Sequence, residues 1–262
     1  MKEIPVYGVD GSQKGNVELP AVFGEIVRDD LILRAFLSEQ SEKLQPKGPF
    51  KWAGLMTTAR YIGRKEAYHT LKNKGTGGPK APRIMFPKGR IGAVRKTPYA
   101  VKGRAAHPPH PEKVLVERIN HREKAKALLS AIAATADAKL VRSKHRISDI
   151  SLPIVFEDEI EKISKTKDVL KAVDKFVGKD IERAYDGRKL RGKRKQGKKT
   201  PRSVLIVCGS DVPLMKAARN VAGVDVARAD KLNVSVLAPG GNAGRLTIWT
   251  RSALAKLKEL KK

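Results

Sequence analysis

The alternation of apolar and polar positions predicts a strand pair and a helix in the first part of the chain. Residues 3–9 alternate like a half-buried strand, and the turn residues that follow lead to a second short strand at 15–19. From residue 20 to residue 42 the spacing is helical, and Asp29 or Asp30 could cap the start of this helix. Its apolar face consists of Leu31, Ile32, Ala35 and Phe36.

The segment 46–111 has no sustained periodicity, and a short helix at about 55–72 is the one element that its pattern suggests. Nine glycines and nine prolines interrupt its 66 residues. Ordering a backbone costs roughly 1–2 kcal/mol per residue, which the scattered aliphatic side chains of this segment cannot offset. We therefore expect the segment to be ordered by a partner or not at all.

Regular patterning resumes after residue 111 and alternates between helices and strands. The predicted helices lie at about 112–137, 157–163, 166–177, 179–185, 213–220 and 250–260, the last one capped by Thr250. The predicted strands lie at 153–156, 203–209, 224–227, 233–238 and 245–249. The run 203–209 is apolar and rich in β-branched residues, which is typical of a strand buried in a parallel sheet.

This order of elements predicts an α/β protein, with a layered globular domain and a largely parallel sheet. We expect residues 1–45 and 112–262 to form the globular body. The segment 46–111 is expected to be one long extended basic loop, and 188–202 a basic exposed connection within the body.

The net charge of +28, with a pI of about 10.3, is concentrated in two segments. Segment 46–111 holds 15 cations against one acid, Glu66, and segment 188–202 holds nine cations and no acid. The rest of the chain is therefore nearly balanced. A charge distribution of this kind indicates a nucleic-acid partner.

A membrane partner fits less well, because no run of 18 apolar residues exists in the sequence. The single cysteine, Cys208, cannot form an internal disulfide and lies inside an apolar run, where it is expected to be a core residue and not a nucleophile. We expect a cytoplasmic protein without membrane attachment.

The chemistry of both basic segments suits folded RNA, because Arg and Lys neutralise phosphates and aromatic rings stack on unpaired bases. In the long loop the predicted RNA-binding residues are Lys47, Lys51, Trp52, Arg60, Arg64, Lys65, Lys72, Lys74, Lys80, Arg83, Lys88, Arg90, Arg95, Lys96, Lys102 and Arg104. In the connection they are Arg188, Lys189, Arg191, Lys193 and Arg194. A flexible linker remains an alternative for the loop, and a localisation signal for the connection.

Four blocks of sequence, in order along nearly the whole chain, carry a family resemblance. They are 6–40, 74–83 (KGTGGPKAPR), 103–137 and 237–254 (LAPGGNAGRLTIWTRSAL). In these blocks the chain resembles the universal large-subunit ribosomal protein L-four family. It looks archaeal in type, since it has no long C-terminal extension like that of eukaryotic members.

The resemblance implies a structural constituent of the large ribosomal subunit, without enzymatic activity or cofactor. The family has an α/β domain on the subunit exterior and a loop threaded into large-subunit rRNA, which supports subunit assembly beside neighbouring ribosomal proteins. The loop tip lines part of the nascent-peptide exit tunnel. In this chain the resemblance places the tip at Lys74, Gly75, Thr76, Gly77 and Gly78.

Two other functions stay open from the residues alone: an RNA-modifying enzyme with a basic guiding loop, and a non-ribosomal nucleic-acid-compacting protein. The enzyme would need a cofactor loop after 203–208 or a polar cluster at strand ends. The run PGGNAG (239–244) lacks the first Gly-x-Gly of a dinucleotide fingerprint and is better explained as a tight turn on a helix or on rRNA. His107 and His110 have no nearby Cys or further His, so we expect no zinc site.

Overall fold

The structure is a computed structural model, which describes residues 3–48, 50–57, 59, 93–147, 150–190 and 200–259. The chain divides into two compact units. We call the first the body; it comprises Met1–Lys43 and Val116–Lys262. The second, the loop unit, comprises Leu44–Leu115. The predicted helix at 55–72 falls mostly outside the described residues.

A six-stranded sheet runs through the body. Its strands are β1 Glu3–Tyr7, β2 Gln13–Glu18, β3 Ile154–Phe156, β4 Leu205–Cys208, β5 Asp225–Arg228 and β6 Thr247–Thr250. The spatial order is β2-β1-β3-β6-β4-β5, in which β1 and β2 are antiparallel and all other neighbours are parallel. The predicted α/β fold with a largely parallel sheet is therefore confirmed.

Helices cover both faces of this sheet. They are α1 Asp29–Ser41, α2 His121–Ala134, α3 Ala138–Lys144, α4 Thr166–Leu190, α5 Pro213–Ala218, α6 Val234–Leu237 and α7 Arg251–Glu259. Short 3-10 helices lie at Ala21–Gly24, Asp158–Lys162, Ala229–Lys231 and Pro239–Gly241. The helices form two layers because successive strand residues point to opposite faces, and both faces are apolar.

Each face of the sheet has its own hydrophobic core. Val155 and Trp249 pack with α1, α2, α6 and α7. Ile154 and Ile248, one residue away on the same strands, pack with α3, α4 and α5 on the other face. The side chains of all four residues are fully buried. The short apolar runs that predicted these strands therefore belong to the centre of a three-layer body.

Two predicted helices begin later than expected. The first begins at Asp29 and not at residue 20, and Asp29 and Asp30 lie in its first turn instead of capping it. The second begins at His121 and not at 112, because the side chain of Asn120 accepts the N–H of Arg122 at 3.0 Å and caps the helix there. In the second helix a local capping signal outweighs the apolar periodicity before it, whereas the N-cap residue of the first, Arg28, makes no side-chain capping hydrogen bond.

The predicted break between 177 and 179 is wrong, because α4 continues through Gly178. Val177 and Ile181 on either side belong to one apolar face that packs on the sheet, and this burial outweighs the low helix propensity of glycine. The predicted helix at 157–163 is a 3-10 helix.

The predicted strand at 233–238 is also wrong, since this segment forms the short helix α6. The carboxylate of Glu39 in α1 accepts the N–H groups of Val234 at 3.2 Å and Ser235 at 2.8 Å. These are first-turn donors that a helix cannot satisfy internally. A tertiary partner therefore overrides the β propensity of the sequence.

Candidate nucleic-acid interface

The described part of the loop unit has almost no apolar core. Ala59 and Pro108 are buried, whereas most of the large apolar side chains are exposed. The exposed ones are Leu44, Phe50, Trp52, Met56, Tyr99, Val101 and Val114. Exposed aromatic and aliphatic groups in a cationic segment are typical of a surface that a partner covers.

Five of the predicted RNA-binding cations are exposed in this unit; they are Lys47, Lys51, Lys96, Lys102 and Arg104. Lys51 forms an ion pair with Glu112, and half-buried Arg95 donates to the carbonyl of Val101. The backbone of Lys96 (φ 66°) and Lys102 (φ 56°) is left-handed, which residues other than glycine rarely adopt. Tight turns therefore carry these cations at the surface.

The other predicted positions of the loop lie outside the described residues. These are Arg60, Arg64, Lys65, Lys72, Lys74, Lys80, Arg83, Lys88 and Arg90, together with the tip residues Gly75, Thr76, Gly77 and Gly78. Arg191, Lys193 and Arg194 of the connection also lie outside them. Arg188 and Lys189 belong to the last turn of α4, so the predicted connection begins within a helix.

A cationic groove at the amino-terminal ends of β4 and β5 was missed by the sequence analysis. Two adjoining cavities of about 880 and 720 Å³ form it. We call it the basic groove, and its cations are Lys43, Lys144, Arg183, Arg202, Lys216 and Arg219. They come from five places in the sequence, and of the six only Arg202 belongs to a run of charges, so no local signal could have found the groove.

A buried arginine and its partners form the floor of the basic groove. Arg245, 2% exposed, donates to the carbonyl oxygens of Ser203 at 3.1 Å and Val236 at 2.6 Å, and to Asp225 Oδ2 at 2.6 Å. Burial lowers the pKa of Arg245, and the neighbouring Asp225 carboxylate opposes this effect. Arg202 pairs with the other oxygen of Asp225. These pairs hold the groove in a fixed shape.

Asp180 anchors the same end of the body. Its carboxylate is fully buried and accepts hydrogen bonds from His145 Nδ1 at 2.8 Å, Arg183 Nε at 2.8 Å and Ser203 Oγ at 2.6 Å. Burial raises the pKa of Asp180, but these hydrogen bonds lower it by more, so the pKa lies well below its usual range. Ser203 bonds to Asp180 and not to His145, so these groups do not form a nucleophile–base pair.

The carboxyl-terminal ends of the strands, where doubly wound proteins bind nucleotides, carry acids instead. Glu161 Oε1 accepts the N–H of Gly209 at 3.0 Å and the hydroxyl of Ser252 at 2.7 Å. Asp158 Oδ1 accepts the N–H of Ser252 at 2.8 Å at the start of α7. A bound phosphate would use these donors, and protein carboxylates already occupy them. We call this region the acidic edge; its acids are Glu157, Asp158, Glu159 and Glu161.

The remaining candidate sites have structural explanations. In the run 239–244, Gly241 (φ 77°) lies against Leu33 of α1 and Gly244 (φ 90°) against Leu140 of α3, so the run is a tight turn on neighbouring helices. Cys208 is a buried core residue, and burial raises the pKa of its thiol to about 12. His107 and His110 are exposed.

Neither a metal centre nor a membrane span is found in the described part of the chain. No three His, Cys, Asp or Glu side chains are grouped there so that they could hold a metal ion. Over the same residues, no helix is long and apolar enough to cross a membrane.

Comparison with known proteins gives one consistent result. The model of the Ribosomal protein L4/L1 family matches residues 17–260. Proteins named "Large ribosomal subunit protein uL4" are similar over almost the full length of both chains. The protein of Methanocaldococcus jannaschii is 46% identical and covers 97% of each chain. Those of Methanococcus maripaludis strain C6 and Methanothrix thermoacetophila are 45% and 43% identical, and in both cases 97% of this chain and 98% of the relative are covered.

Proposed function

Because the chain belongs to the Ribosomal protein L4/L1 family, as its sequence blocks indicated, we propose that it is a structural constituent of the large ribosomal subunit. Its relatives carry the name of a large-subunit protein, and family members are structural proteins and not enzymes. The protein therefore works in the cytoplasm, within the ribosome. The comparisons do not support the RNA-modifying enzyme or the nucleic-acid-compacting protein.

The observation that carries the RNA-binding part of this proposal is the contrast between charge and core in the loop unit. The segment 46–111 has a net charge of +14, and the described part of the loop unit exposes Phe50 and Trp52 while burying little more than Ala59 and Pro108. A segment of this composition cannot offset its own ordering entropy. Binding to large-subunit rRNA supplies the missing free energy through phosphate contacts and base stacking, and so supports subunit assembly.

Within that role, the predicted cations of the loop and of the connection 188–202 contact rRNA, and neighbouring ribosomal proteins lie beside the body. The tip Lys74–Gly78 faces the nascent peptide in the exit tunnel. Support for the tip comes from the family resemblance of 74–83, in which three glycines would let the backbone approach closely.

Deletion of 46–111 tests the role of the loop. The body residues on either side of the loop unit lie close together, because Ser41 Oγ accepts the N–H of Glu117 at 2.9 Å and Ser38 Oγ donates to its carbonyl at 2.6 Å. A short Gly-Ser linker can therefore replace the segment without disturbing the body. We expect a variant with near-native helix content and cooperative melting that fails to co-sediment with large subunits after a high-salt wash.

The full chain, prepared in parallel, is the control for that experiment. Co-sedimentation of the deletion variant at the level of the full chain would contradict a role of the loop in subunit assembly. The tip has its own test, in which a photo-crosslinking residue replaces Thr76 in ribosomes that carry a stalled nascent chain. We expect crosslinks to the nascent chain from position 76 and none from position 47 at the base of the loop.

A further inference from the structure

We propose that the basic groove is a separate RNA-binding site of the body, which takes the sugar–phosphate backbone of large-subunit rRNA. The inference rests on the proposed ribosomal function and adds to it a contact surface outside the two basic segments. Its cations are brought together by the ends of α1, α3 and α5, by Arg183 within α4 and by the residues just before β4.

The first argument is the course of the chain around the groove. Lys43, which lines it, is the last residue of the body before the loop unit. The chain returns beside it, because Glu117 is hydrogen-bonded to Ser38 and Ser41 of α1. Thr200 and Arg202, also in the groove lining, follow directly after the cationic stretch 191–199. Along the chain, both basic segments thus leave or rejoin the body next to residues that line this groove.

The second argument is the state of the cations. Arg183 and Arg202 are engaged with Asp180 and Asp225, and Lys144 donates to the carbonyl of Ala243. In contrast, no hydrogen bond or ion pair within the described residues engages the side chains of three exposed cations. These are Lys43, Lys216 and Arg219. They remain available for phosphate oxygens, which are the acceptors that such side chains prefer in RNA complexes.

The third argument is what else lines the groove. Asp225 is already paired with both Arg202 and Arg245, so Asp211 at one end is the one unpaired acid among the lining residues. Asn220 and Asn242 are exposed and add neutral donors and acceptors, which suit ribose hydroxyls. Cations outnumber acids in this lining, and they are spread along two adjoining cavities, which favours an extended polyanion over a small ligand.

A purely structural account of these cations exists and makes a different prediction. Lys216 and Arg219 lie at the carboxyl end of α5, where positive charge offsets the helix dipole. If this were their whole role, neutralising them would lower the melting temperature and leave RNA binding unchanged.

The test compares two full-chain variants that each lose two positive charges. K216Q/R219Q removes two cations of the groove, and K167Q/K171Q neutralises two exposed lysines in the first two turns of α4. Lys171 is 12 residues before Arg183, or about 18 Å along the helix at ~1.5 Å per residue, which is beyond the screening length of about 8 Å at physiological salt. Affinity for large-subunit rRNA is measured over a range of salt concentrations.

We expect the slope of log K against log salt to become shallower by roughly 1.4–1.8 for K216Q/R219Q, which corresponds to two lost phosphate contacts. The expected loss of affinity is about tenfold at physiological salt, against less than about threefold for K167Q/K171Q. The conservative variant K216R/R219K should bind like the unmodified chain. Equal slopes and affinities for the two glutamine variants would overturn the groove proposal.

Failure of the ribosomal function would look different, because the unmodified chain would then show no preference for rRNA over duplex DNA. A second measurement needs no variant and covers the case in which K216Q/R219Q does not fold. Lysine acylation of the unmodified chain, read by mass spectrometry, should be suppressed by rRNA at Lys43 and Lys216 and unchanged at Lys167 and Lys171. Equal reactivity of Lys43 and Lys216 with and without rRNA would overturn the proposal.

Discussion

In the body's sheet, the carboxyl-terminal ends of the strands and their amino-terminal ends have opposite chemistry. At the acidic edge, Asp158 and Glu161 accept backbone N–H groups of Ser252 and Gly209. At the opposite edge, the basic groove gathers six cations, and three of them have no hydrogen-bond or ion-pair partner among the residues that the structure describes. In doubly wound proteins the carboxyl edge is the usual ligand site. Here that edge is filled by the protein's own carboxylates, so the fold class alone would point to the wrong side of the sheet.

Helix direction explains part of this contrast. Because α7 begins at the acidic edge, its free N–H groups favour nearby anions there. Because α3 and α5 end at the basic groove, their last carbonyls favour cations. The two ends of the sheet differ in the charges that remain without a partner after the helix dipoles are compensated. Lys14 pairs with Glu157 and Glu159, whereas Lys43, Lys216 and Arg219 have no such counterpart among the described residues. The surplus charge is thus at the groove.

The largest expected effect on stability comes from Asp180→Ala, at the end of the sheet where the basic groove lies. This substitution leaves His145 and Ser203 buried without their shared acceptor and leaves Arg183 unpaired. We expect the free energy of unfolding to fall by about 3–5 kcal/mol, measured by urea denaturation at pH 7. Asp174→Ala, an exposed position on the same helix, is the control. A loss no larger than that of the control would show that the buried network does not hold this edge.

The Asp180 contribution should also depend on pH. Its folded-state pKa is lowered, so its stabilisation is fully present above the unfolded-state pKa of about 3.9 and is lost as the pH falls towards the folded value. The difference in unfolding free energy between the unmodified chain and Asp180→Asn should therefore narrow below about pH 4. A difference that stays constant from pH 7 to pH 3 would contradict this assignment.

A smaller effect is expected at the acidic edge from Glu161→Ala. The buried N–H of Gly209 then loses its acceptor, and so does the hydroxyl of Ser252. We expect a loss of about 1–3 kcal/mol in unfolding free energy. Glu161→Gln retains an oxygen acceptor and should cost clearly less. Equal losses for the two variants would mean that the charge, and not the hydrogen bonds, stabilises this edge.

Asp158→Ala should cost less again, about 1 kcal/mol, because it removes one acceptor at the start of α7. Thr250 Oγ1 still accepts the N–H of Ala253 at 3.3 Å and keeps that end of the helix partly capped. The check is the urea midpoint of Asp158→Ala beside that of Asp158→Asn, which should retain most of the stability. A loss as large as that of Glu161→Ala would show that Asp158 does more than cap the helix.

The smallest effect concerns RNA binding and separates the two edges directly. E157Q/E159Q removes two acids from the acidic edge and raises the net charge by two. If rRNA contacts the groove and not this edge, the affinity for rRNA should change by less than about threefold, with an unchanged salt slope. A gain as large as the loss in K216Q/R219Q would mean that both edges act through net charge alone.

The sequence predicts the features that depend on neighbouring residues and misses those that depend on residues far apart in the chain. The strands β3, β4 and β6 are short apolar runs buried on both faces, a pattern visible within a few residues. The extended loop could be proposed from the sequence because its charges and its glycines are contiguous. The helix α6 was mispredicted as a strand because its cap, Glu39, is 195 residues away from Val234.

Neither edge of the sheet could be found in this way. The sequence predicts a helix at 157–163 but not the hydrogen bonds that Asp158 and Glu161 make there. Their partners, Ser252 and Gly209, are 94 and 48 residues away along the chain. The basic groove combines cations that are unremarkable one by one, and the topology of the sheet brings them together. Chemistry spread over distant segments has no local pattern, whereas chemistry carried by one run of sequence does.

The position of β6 in the sheet bears on the order in which the body can fold. It is the last of the described strands along the chain, yet it lies between β3 and β4, which are not paired with each other. Before β6 is added, β1–β2–β3 and β4–β5 are two separate small sheets. During synthesis from the amino terminus, the basic loop is therefore made long before the body can close around Trp249. The newly made protein passes through a stage in which its cationic segment is complete and its hydrophobic core is not, and the apolar surface exposed in that stage favours aggregation.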